Sequence, residues 1–372
     1  MIRPFTYQAL PMRVVFGAGS LAKLPDEVAA LGLDRVLVLC SPEQEATGQA
    51  VAAALGKRAA GVLPEARMHV PIEVAHRARK VAAELGADGC VAVGGGSAIG
   101  LGKAIALEHD LPVIAVPTTY AGSEMTPVWG LTEGGQKRTG RDVRVLPKSV
   151  LYDAEMTLTL PAGMSATSAI NAIAHAVEGL YAPDATPIVS LMAEEGVRAL
   201  AAALPRVVAD GADLEARGEV QYGAWLCGAV LAVTTMSLHH KLCHTLGGTL
   251  DLPHAQTHTV VLPHALAYNQ PAAPEAVAAL SRALGGVPDP ARELWQLAGR
   301  LGAPRSLREL GMAEEDIPRI AELAVANPYA NPRPVTRDGI EALLWAAWTG
   351  ASPPATTAPA HQTRATERRS RT

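Results

Sequence analysis

The chain has 372 residues, of which 49% are hydrophobic and only 18% are charged. This composition excludes an intrinsically disordered protein, because disordered chains are poor in apolar residues and rich in charge. The formal net charge of −4 also argues against a nucleic-acid-binding protein, which would need a strongly basic surface.

The sequence shows no signal for a membrane or for an oxidising compartment. No apolar run reaches the roughly 18 residues of a membrane-spanning helix. The N-terminal residues lack the apolar core of a signal peptide. The four cysteines include no CxxC pair and are typical of buried, reduced thiols. We therefore expect a soluble cytoplasmic protein with no membrane or nucleic-acid partner.

The first 150 residues alternate short apolar runs with Ala-rich amphipathic stretches. We predict strands over 35–40, 89–93, 112–116 and 150–153. Between them we predict helices over 49–55, 74–85 and 98–108. Continuously apolar strands that alternate with helices indicate a parallel sheet covered on both faces.

From Leu160 onward the pattern changes to helices separated by prolines. We predict helices over 165–182, 187–204, 219–248, 274–284, 291–301 and 338–348. The expected fold is therefore an α/β domain with a parallel sheet at residues 1–157, followed by an all-α domain at residues 158–350. Residues 351–372 are rich in Pro, Thr, Ala and Arg, and are predicted to form a disordered basic tail.

A glycine-rich segment lies between a predicted strand and a predicted helix. It consists of Gly94, Gly95 and Gly96, followed by Ser97. Glycines there allow backbone N–H groups to approach a phosphate, and the helix N-terminus adds a favourable dipole. A second loop at 117–123, rich in hydroxyl groups, follows the next strand. Adjacent loops at strand ends form the crevice in which open α/β sheets bind ligands.

Histidines are concentrated in the helical half. Six of the eleven are His239, His240, His244, His254, His258 and His264. A spacing of four places His240 and His244 on one helix face, and Asn171 and His175 on another. Imidazole groups serve either as neutral metal ligands or as proton donors and anion binders, so both chemistries stay open here.

These segments together resemble the iron-containing alcohol dehydrogenase superfamily. They are GGGS at 94–97, PTT at 117–119, GSE at 122–124, NAIAHAVE at 171–178, HHKLCHTLGG at 239–248 and LPHA at 252–255. The resemblance extends from about residue 5 to residue 350 and is closest to the maleylacetate reductase branch. It implies the dehydroquinate synthase-like architecture, with NAD(P)H in the cleft between an α/β and a helical domain. It also implies a homodimer.

The resemblance implies which residues contact the cofactor. The pyrophosphate would be held by Gly94, Gly95, Gly96 and Ser97. Further contacts would come from Ser41, Thr118, Thr119, Ser123 and Lys137. Relatives that prefer NADH often carry an acidic residue where this chain has Ser41, so we expect NADPH to be accepted beside NADH.

The chain departs from the superfamily at two carboxylates. The positions that match the metal ligands are Asn171, His175, His240 and His254, where metal-dependent relatives have an aspartate and three histidines. Gly100 replaces a second aspartate, three residues before the retained Lys103. Three imidazoles can still hold Zn²⁺, but we expect that no metal is required. A site without these two negative charges suits a substrate that carries two carboxylates.

The reaction implied is NAD(P)H-dependent reduction of the carbon–carbon double bond of maleylacetate to 3-oxoadipate, in the catabolism of aromatic compounds. Hydride addition beside the conjugated ketone generates an enolate, which needs a stabilising donor and a proton. We predict that His244 and His254 polarise the enolate and deliver the proton, with His175 and His240 completing a positive pocket. The candidates for binding substrate carboxylates are Lys241, Arg13 and Arg333.

Two other interpretations stay open. The first is an Fe²⁺- or Zn²⁺-dependent alcohol dehydrogenase that acts on an aldehyde or ketone. The second is a nucleotide-binding protein without catalytic activity. The missing carboxylates disfavour the first, and the retained histidines disfavour the second, because buried polar side chains without a role are costly.

Overall fold

The structure of the protein is a computed structural model that describes residues 4–134 and 136–354. For Lys137 only the backbone is described. The predicted disordered tail lies outside the described residues from position 355 onward. Within the described ranges, no helix combines the length and the apolar character needed to cross a bilayer.

The N-terminal half is built on a parallel sheet. The strands are β1 (Arg13–Phe16), β2 (Val36–Leu39), β3 (Ala59–Leu63), β4 (Gly89–Gly94), β5 (Val113–Pro117), β6 (Val128–Glu133), β7 (Gln136–Arg141) and β8 (Ser149–Tyr152). Six of them form the sheet in the order β1-β8-β5-β4-β2-β3, and all of its strand pairs are parallel. Strands β6 and β7 form a separate antiparallel hairpin. The predicted parallel sheet is confirmed.

Helices cover both faces of this sheet. They are α1 (Leu24–Ala30), α2 (Glu45–Leu55), α3 (Ile72–Glu84) and α4 (Gly96–His109). Alternate residues of β2 enter two different cores, because successive strand side chains point to opposite faces. Leu37 and Leu39 pack with side chains of α3 and α4, whereas Val36 and Val38 pack with side chains of α1 and α2.

The strand order places a ligand crevice between β2 and β4. The chain leaves β2 toward β3 at one edge of the sheet, and leaves β4 toward β5 in the opposite direction. At such a reversal the two connections diverge and leave a gap outside the carboxyl ends of the strands. Ser41 follows β2 and Gly95 follows β4, so two of the predicted cofactor segments lie at this gap.

The C-terminal half is helical, as predicted. Its helices are α5 (Ala162–Leu180), α6 (Pro187–Ala209), α7 (Leu214–Val233), α8 (Leu238–Leu250), α9 (His254–Asn269), α10 (Pro274–Ala283), α11 (Pro290–Arg300), α12 (Ile317–Val325) and α13 (Arg337–Thr349). Helix α5 packs against α6, α7 and α9, and every residue from Ser165 to Gly179 is buried. Small residues allow this close packing: a Cβ added at Gly179 would lie 2.1 Å from Val230 Cγ1.

The prediction of one helix over 219–248 is wrong, because the chain forms two helices there, α7 and α8. Residues 234–237 are not helical and separate α7 from α8. The backbone N–H and the hydroxyl of Thr235 donate to the Asp184 carboxylate, and the N–H of Ser237 donates to Glu178. Tertiary hydrogen bonds therefore outweigh the local helical pattern. The sequence pattern also missed β1, α1, β3, the β6–β7 hairpin, α9 and α12.

Lys103 ties the loop after β5 to α4. Its Nζ donates to the carbonyls of Ser123, Thr126 and Val128 at 2.6, 2.8 and 2.8 Å. An ammonium group has three N–H donors, which match these three acceptors. Burial lowers the pKa of Lys103 to about 7, and the nearby Glu124 carboxylate opposes this shift. Lys103 is thus buried and fixes the loop that carries Ser123.

We expect Lys103→Met to destabilise the protein by roughly 2–4 kcal/mol, because three carbonyl groups lose their donor. Urea unfolding followed by circular dichroism measures this loss. Lys80→Met on the exposed face of α3 is the matched control and should change the free energy of unfolding by less than about 0.5 kcal/mol. Equal stability of the two variants would contradict the role of Lys103.

Candidate active site

The predicted cofactor segments meet at the carboxyl ends of β2, β4 and β5. Gly94 ends β4, and Thr118 follows β5 directly. The N–H of Thr118 donates to the carbonyl of Gly94 at 3.1 Å. Gln44 Nε2 donates to Thr118 Oγ1 at 3.0 Å, so the segment after β2 is joined to the same loops. The structure therefore brings together the parts of the chain that contain Ser41, the glycine segment and Thr118.

The three glycines have different roles in this crevice. Gly94 has φ +146°, and a Cβ there would lie 2.8 Å from Gln44 Oε1 and 2.9 Å from the Ala98 Cβ. A Cβ on Gly95 would lie 3.0 Å from Thr119. A Cβ on Gly96, the first residue of α4, would meet no neighbouring atom within 4 Å. No side chain caps α4, so the N–H groups of its first turn, including Ser97, face this space. The arrangement suits a phosphate group.

The loop after β5 connects the crevice to the histidines. A Cβ on Gly122 would lie 3.5 Å from two ring atoms of His175, so the loop packs directly on that side chain. Ser123 follows Gly122, and its carbonyl is held by Lys103. Lys137 lies on β7, and its side chain is outside the described part of the structure. A nicotinamide that reaches past Ser123 would therefore approach His175.

The position of the second missing carboxylate is closed by a hydrophobic side chain. A Cβ on Gly100 would lie 2.7 Å from Val70 Cγ2, and Val70 is itself buried. An aspartate at this position would therefore require Val70 to move.

Two of the three predicted carboxylate-binding residues have other partners. Arg13 Nε contacts the Glu27 carboxylate at 2.9 Å. The guanidinium of Arg333 lies 4.3 Å from the centroid of the Tyr268 ring and donates to the Tyr268 carbonyl. Lys241 lies half-buried on α8, between the histidines of that helix. Of the three cations, Lys241 is the one that the structure places among the predicted catalytic residues.

Three helices bring the histidines into one array. The His175 ring from α5 lies 5.1 Å from the His240 ring of α8. The His244 ring lies 6.2 Å from both His240 and His254, and His254 on α9 is 4.3 Å from His258. His244 and His254 are exposed, whereas His175 and His240 are only 3% and 6% exposed. The array thus extends from a solvent-accessible rim to a buried floor.

The buried floor of the array presents polar atoms without protein partners. These atoms are Asn171 Oδ1, His175 Nδ1 and His240 Nε2. Buried polar atoms are almost always hydrogen-bonded, so atoms like these are expected to face a ligand. Burial and the neighbouring imidazoles hold the pKa of His175 well below its ordinary value. His175 is therefore neutral in the free protein, whereas the sequence analysis expected it to contribute positive charge. A bound anionic substrate would raise the pKa of His175.

Glu178 is a site residue that the sequence analysis missed. Its carboxylate accepts a hydrogen bond from His240 Nδ1 at 2.8 Å and is fully buried. It lies three residues after His175, so the spacing of Asn171, His175 and Glu178 places all three on one face of α5. That periodicity was the available signal.

A second group of polar side chains lies behind the floor. Ligand atoms of His239, Cys243 and His258 lie within 4.8 Å of one another, and all three residues are buried. His239 Nε2 and His258 Nδ1 are hydrogen-bonded at 2.9 Å. Burial lowers the pKa of both histidines and raises that of the Cys243 thiol well above its ordinary value. His264 is also buried away from the array, and burial lowers its pKa to about 4.

Comparison with known proteins is consistent with this geometry. The model described as iron-containing alcohol dehydrogenase matches residues 11–154, and the C-terminal model of the Fe-containing alcohol dehydrogenase family matches residues 165–348. The chain belongs to the iron-containing alcohol dehydrogenase family. It is an oxidoreductase that uses a nicotinamide cofactor.

Within this family the chain is similar to proteins named maleylacetate reductase. It is 58% identical to the maleylacetate reductase of Sphingobium indicum over 94% of this chain and 99% of that protein. The identity to that of Burkholderia cepacia is also 58%, with the same coverage. The crystal structure of maleylacetate reductase from Agrobacterium tumefaciens superposes with a TM-score of 0.92 at 53% identity, over 95% of this chain and all of that chain.

The family name implies iron, but one of the four matching ligand positions is changed in this chain. At the matching position Asn171 replaces the carboxylate, so an amide and three imidazoles would provide no negative charge. Among the described residues, the three-donor group with converging ligand atoms is instead the one formed by His239, Cys243 and His258. There the two histidines are hydrogen-bonded to each other and burial raises the pKa of the Cys243 thiol, so a metal ion would have to displace both that hydrogen bond and the thiol proton.

We expect Gly96→Ala to weaken NADH binding at least tenfold (about 1.4 kcal/mol) without destabilising the protein. The added methyl group meets no protein atom within 4 Å, but it fills the space in front of α4. Fluorescence titration with NADH, alongside thermal unfolding, measures both effects. Gly218→Ala in α7 also meets no atom within 4 Å and is the matched control. Wild-type affinity in Gly96→Ala would place the pyrophosphate elsewhere.

Proposed function

We propose that this protein reduces the carbon–carbon double bond of maleylacetate to 3-oxoadipate, with NADH or NADPH as the hydride donor, in the catabolism of aromatic compounds. The observation that carries this proposal is the buried floor, where Asn171 Oδ1, His175 Nδ1 and His240 Nε2 lack protein partners. This floor lies beside a crevice suited to a dinucleotide. The chain is also 58% identical to two proteins named maleylacetate reductase.

The charge around the floor supports a substrate with two carboxylates. Asn171 and Gly100 remove two negative charges relative to metal-dependent members of the family. The carboxylate that remains, Glu178, is occupied by N–H donors from α8 and does not face the cleft as a free anion. Lys241 adds a positive charge near the array. A dianion therefore meets neutral polar groups and the Lys241 ammonium rather than opposed carboxylates, which would be repulsive at short distance.

The reaction follows from the polarity of the conjugated substrate. Hydride from the nicotinamide adds to the carbon β to the ketone, and the electron pair of the double bond moves to form an enolate. Protonation of the α-carbon completes the reduction, so one NAD(P)H and one proton are consumed for each 3-oxoadipate formed. The enolate oxygen requires a positioned donor, and the α-carbon requires an acid.

The histidine array provides groups for both tasks. We assign proton delivery and enolate polarisation to His244 and His254, because they are exposed and can exchange protons with solvent. His175 lies deeper, where it binds the ketone or carboxylate oxygens together with Lys241. His240 donates from Nδ1 to Glu178 and presents Nε2 to the substrate. This division leaves the buried histidines to orient the substrate and the rim histidines to move the proton.

We further propose that the reaction needs no metal ion. The donor set at Asn171, His175, His240 and His254 contains no carboxylate, and imidazolium or neutral imidazole N–H groups can stabilise the enolate in place of a Lewis acid. The alternative is a metal-dependent alcohol dehydrogenase, which the three retained histidines favour.

The cofactor preference is proposed from the segment after β2. Ser41 stands there in place of an acidic residue, and its hydroxyl lowers the pKa of the nearby Glu43 carboxylate by hydrogen bonding. We propose that both NADH and NADPH are used.

We also propose that the protein is a homodimer and that it is cytoplasmic. Light scattering tests the homodimer, because one chain has a mass of 38.7 kDa. The four free, buried cysteines support the cytoplasmic location.

The decisive assay measures NADH and NADPH oxidation with maleylacetate, before and after exhaustive chelation, together with metal analysis of the same samples. We expect comparable activity with both cofactors and full activity after metal removal. Activity that is lost on chelation and restored by Fe²⁺ or Zn²⁺ would establish a metalloenzyme instead. No turnover of maleylacetate by folded, NADH-binding protein would refute the proposed function. If a metal ion restores activity, the metal content of Cys243→Ser shows whether that ion binds to the group formed by His239, Cys243 and His258.

We expect His244→Ala to lower kcat about 100-fold while NADH affinity stays unchanged, because a proton donor is removed and the cofactor crevice is untouched. Steady-state kinetics and fluorescence titration separate the two effects. His76→Ala, which removes an exposed histidine of α3, is the control and should keep full activity. Full turnover in His244→Ala would transfer the proton-delivery role to another residue.

A further inference from the structure

Glu178 connects two helices that carry the site. Its side chain leaves the last turns of α5 and reaches the first turn of α8, where it is fully buried. Oε1 accepts from the N–H of His239 at 2.7 Å, and Oε2 accepts from the N–H of Ser237 at 2.8 Å. The hydroxyl of Ser237 does not cap α8. The carboxylate of Glu178 therefore caps α8 from another helix, where the helix dipole also favours a negative charge.

The same carboxylate determines which nitrogen of His240 carries a proton. Oε2 lies 2.8 Å from His240 Nδ1, and the hydrogen bonds from Ser237 and His239 are donated by backbone N–H groups. Since a carboxylate can only accept, His240 must donate from Nδ1. Its other nitrogen, Nε2, is then directed to the floor, where it is buried without a protein partner. The second hydrogen bond of an imidazole generally fixes its tautomer in this way.

We propose that Glu178 is the positioning residue of this active site: it fixes the start of α8 and holds His240 in the Nδ1–H form, so that Nε2 faces the substrate. A carboxylate that orients an imidazole is a recurrent device in catalytic and metal sites. The catalytic consequence rests on the proposed function, whereas the state of His240 does not.

The two roles of Glu178 can be separated by Glu178→Gln. Glutamine has one amide oxygen, which can replace either Oε1, the acceptor of the His239 N–H, or Oε2, the acceptor of the Ser237 N–H and of His240 Nδ1. With the oxygen at the Oε1 position, the NH₂ group faces His240 Nδ1 and cannot accept from it, so the imidazole proton must move to Nε2 for a hydrogen bond to form. A purely structural cap predicts a loss of stability with no change of tautomer. A positioning residue predicts a change of tautomer and of kcat.

The first measurement is an NMR correlation of the ring nitrogens with ring protons in ¹⁵N-histidine-labelled protein at pH 8, where ordinary imidazoles are neutral. The His240 signals are assigned by their loss in His240→Asn. We expect a protonated Nδ1 and an unprotonated Nε2 in the wild type, and the reverse in Glu178→Gln. A wild-type His240 with its proton on Nε2 overturns the proposal without any variant.

The second measurement is kinetic. We expect Glu178→Gln to lower kcat about 100-fold, with KM for maleylacetate and affinity for NADH each within about threefold of wild type. In the His240→Asn background, the same substitution should cause no further loss of kcat, because Glu178 acts through His240. Additive losses would show that Glu178 acts only as a structural cap, and so would overturn the proposal.

Glu27→Gln is the matched control for the loss of a buried carboxylate. Glu27 is 5% exposed and accepts from Arg13 and Ser149 in the sheet domain. The Glu27→Gln variant should have a lower melting temperature than the wild type, with unchanged kcat and unchanged His240 signals. If the wild type binds NADH and shows the expected tautomer but does not reduce maleylacetate, the proposed function fails and the placement of His240 by Glu178 stands.

Discussion

Burial of α5 on all sides determines where the rest of the site can lie. This helix packs among α6, α7 and α9, which requires small side chains such as Gly179 along its surface. A helix enclosed in this way cannot rotate or slide without opening cavities in a close-packed interior. Its polar residues therefore have fixed directions. Ser168 accepts from the N–H of Tyr120 at 3.0 Å and so anchors the loop after β5, while Asn171 and His175 form the floor of the site.

The cofactor crevice depends on the same helix through that loop. Lys103 holds the loop from the sheet side, and α5 holds it from the helical side, so the glycine segment and the histidine floor are adjacent although they belong to different halves of the chain. The hydride donor and the proton donors must approach the same double bond from different elements. Two rigid attachments at one loop provide the constant separation that such a reaction requires.

Electrostatics distinguishes this site from a metal centre on the same fold. Removal of two carboxylates leaves a floor of neutral polar atoms, and burial together with the neighbouring imidazoles lowers the pKa of His175. The retained carboxylate, Glu178, is used within the protein, where it serves a helix end and one imidazole. This chain therefore differs from the metal-dependent members of the family in the charge at two residues and not in the fold.

The sequence by itself determined the fold class and the segments that build the site. Apolar runs alternating with helices predicted the parallel sheet, because strands buried on both faces need such runs. The glycine segment and the histidines were visible because both are unusual in composition, and the pairs spaced by four had a defined helix face. Asn171 was recognised as a departure only through the family resemblance.

Tertiary structure alone decided how these segments are arranged. The break between α7 and α8 depends on carboxylates from Asp184 and Glu178, which lie more than 50 positions away along the chain. Arg13 was a reasonable cation for a substrate until the fold placed Glu27 beside it. The position of Glu178 against His240, and the depth that separates rim from floor histidines, follow from helix packing. Such contacts join residues whose sequence separation carries no periodic signal, so no local pattern could have predicted them.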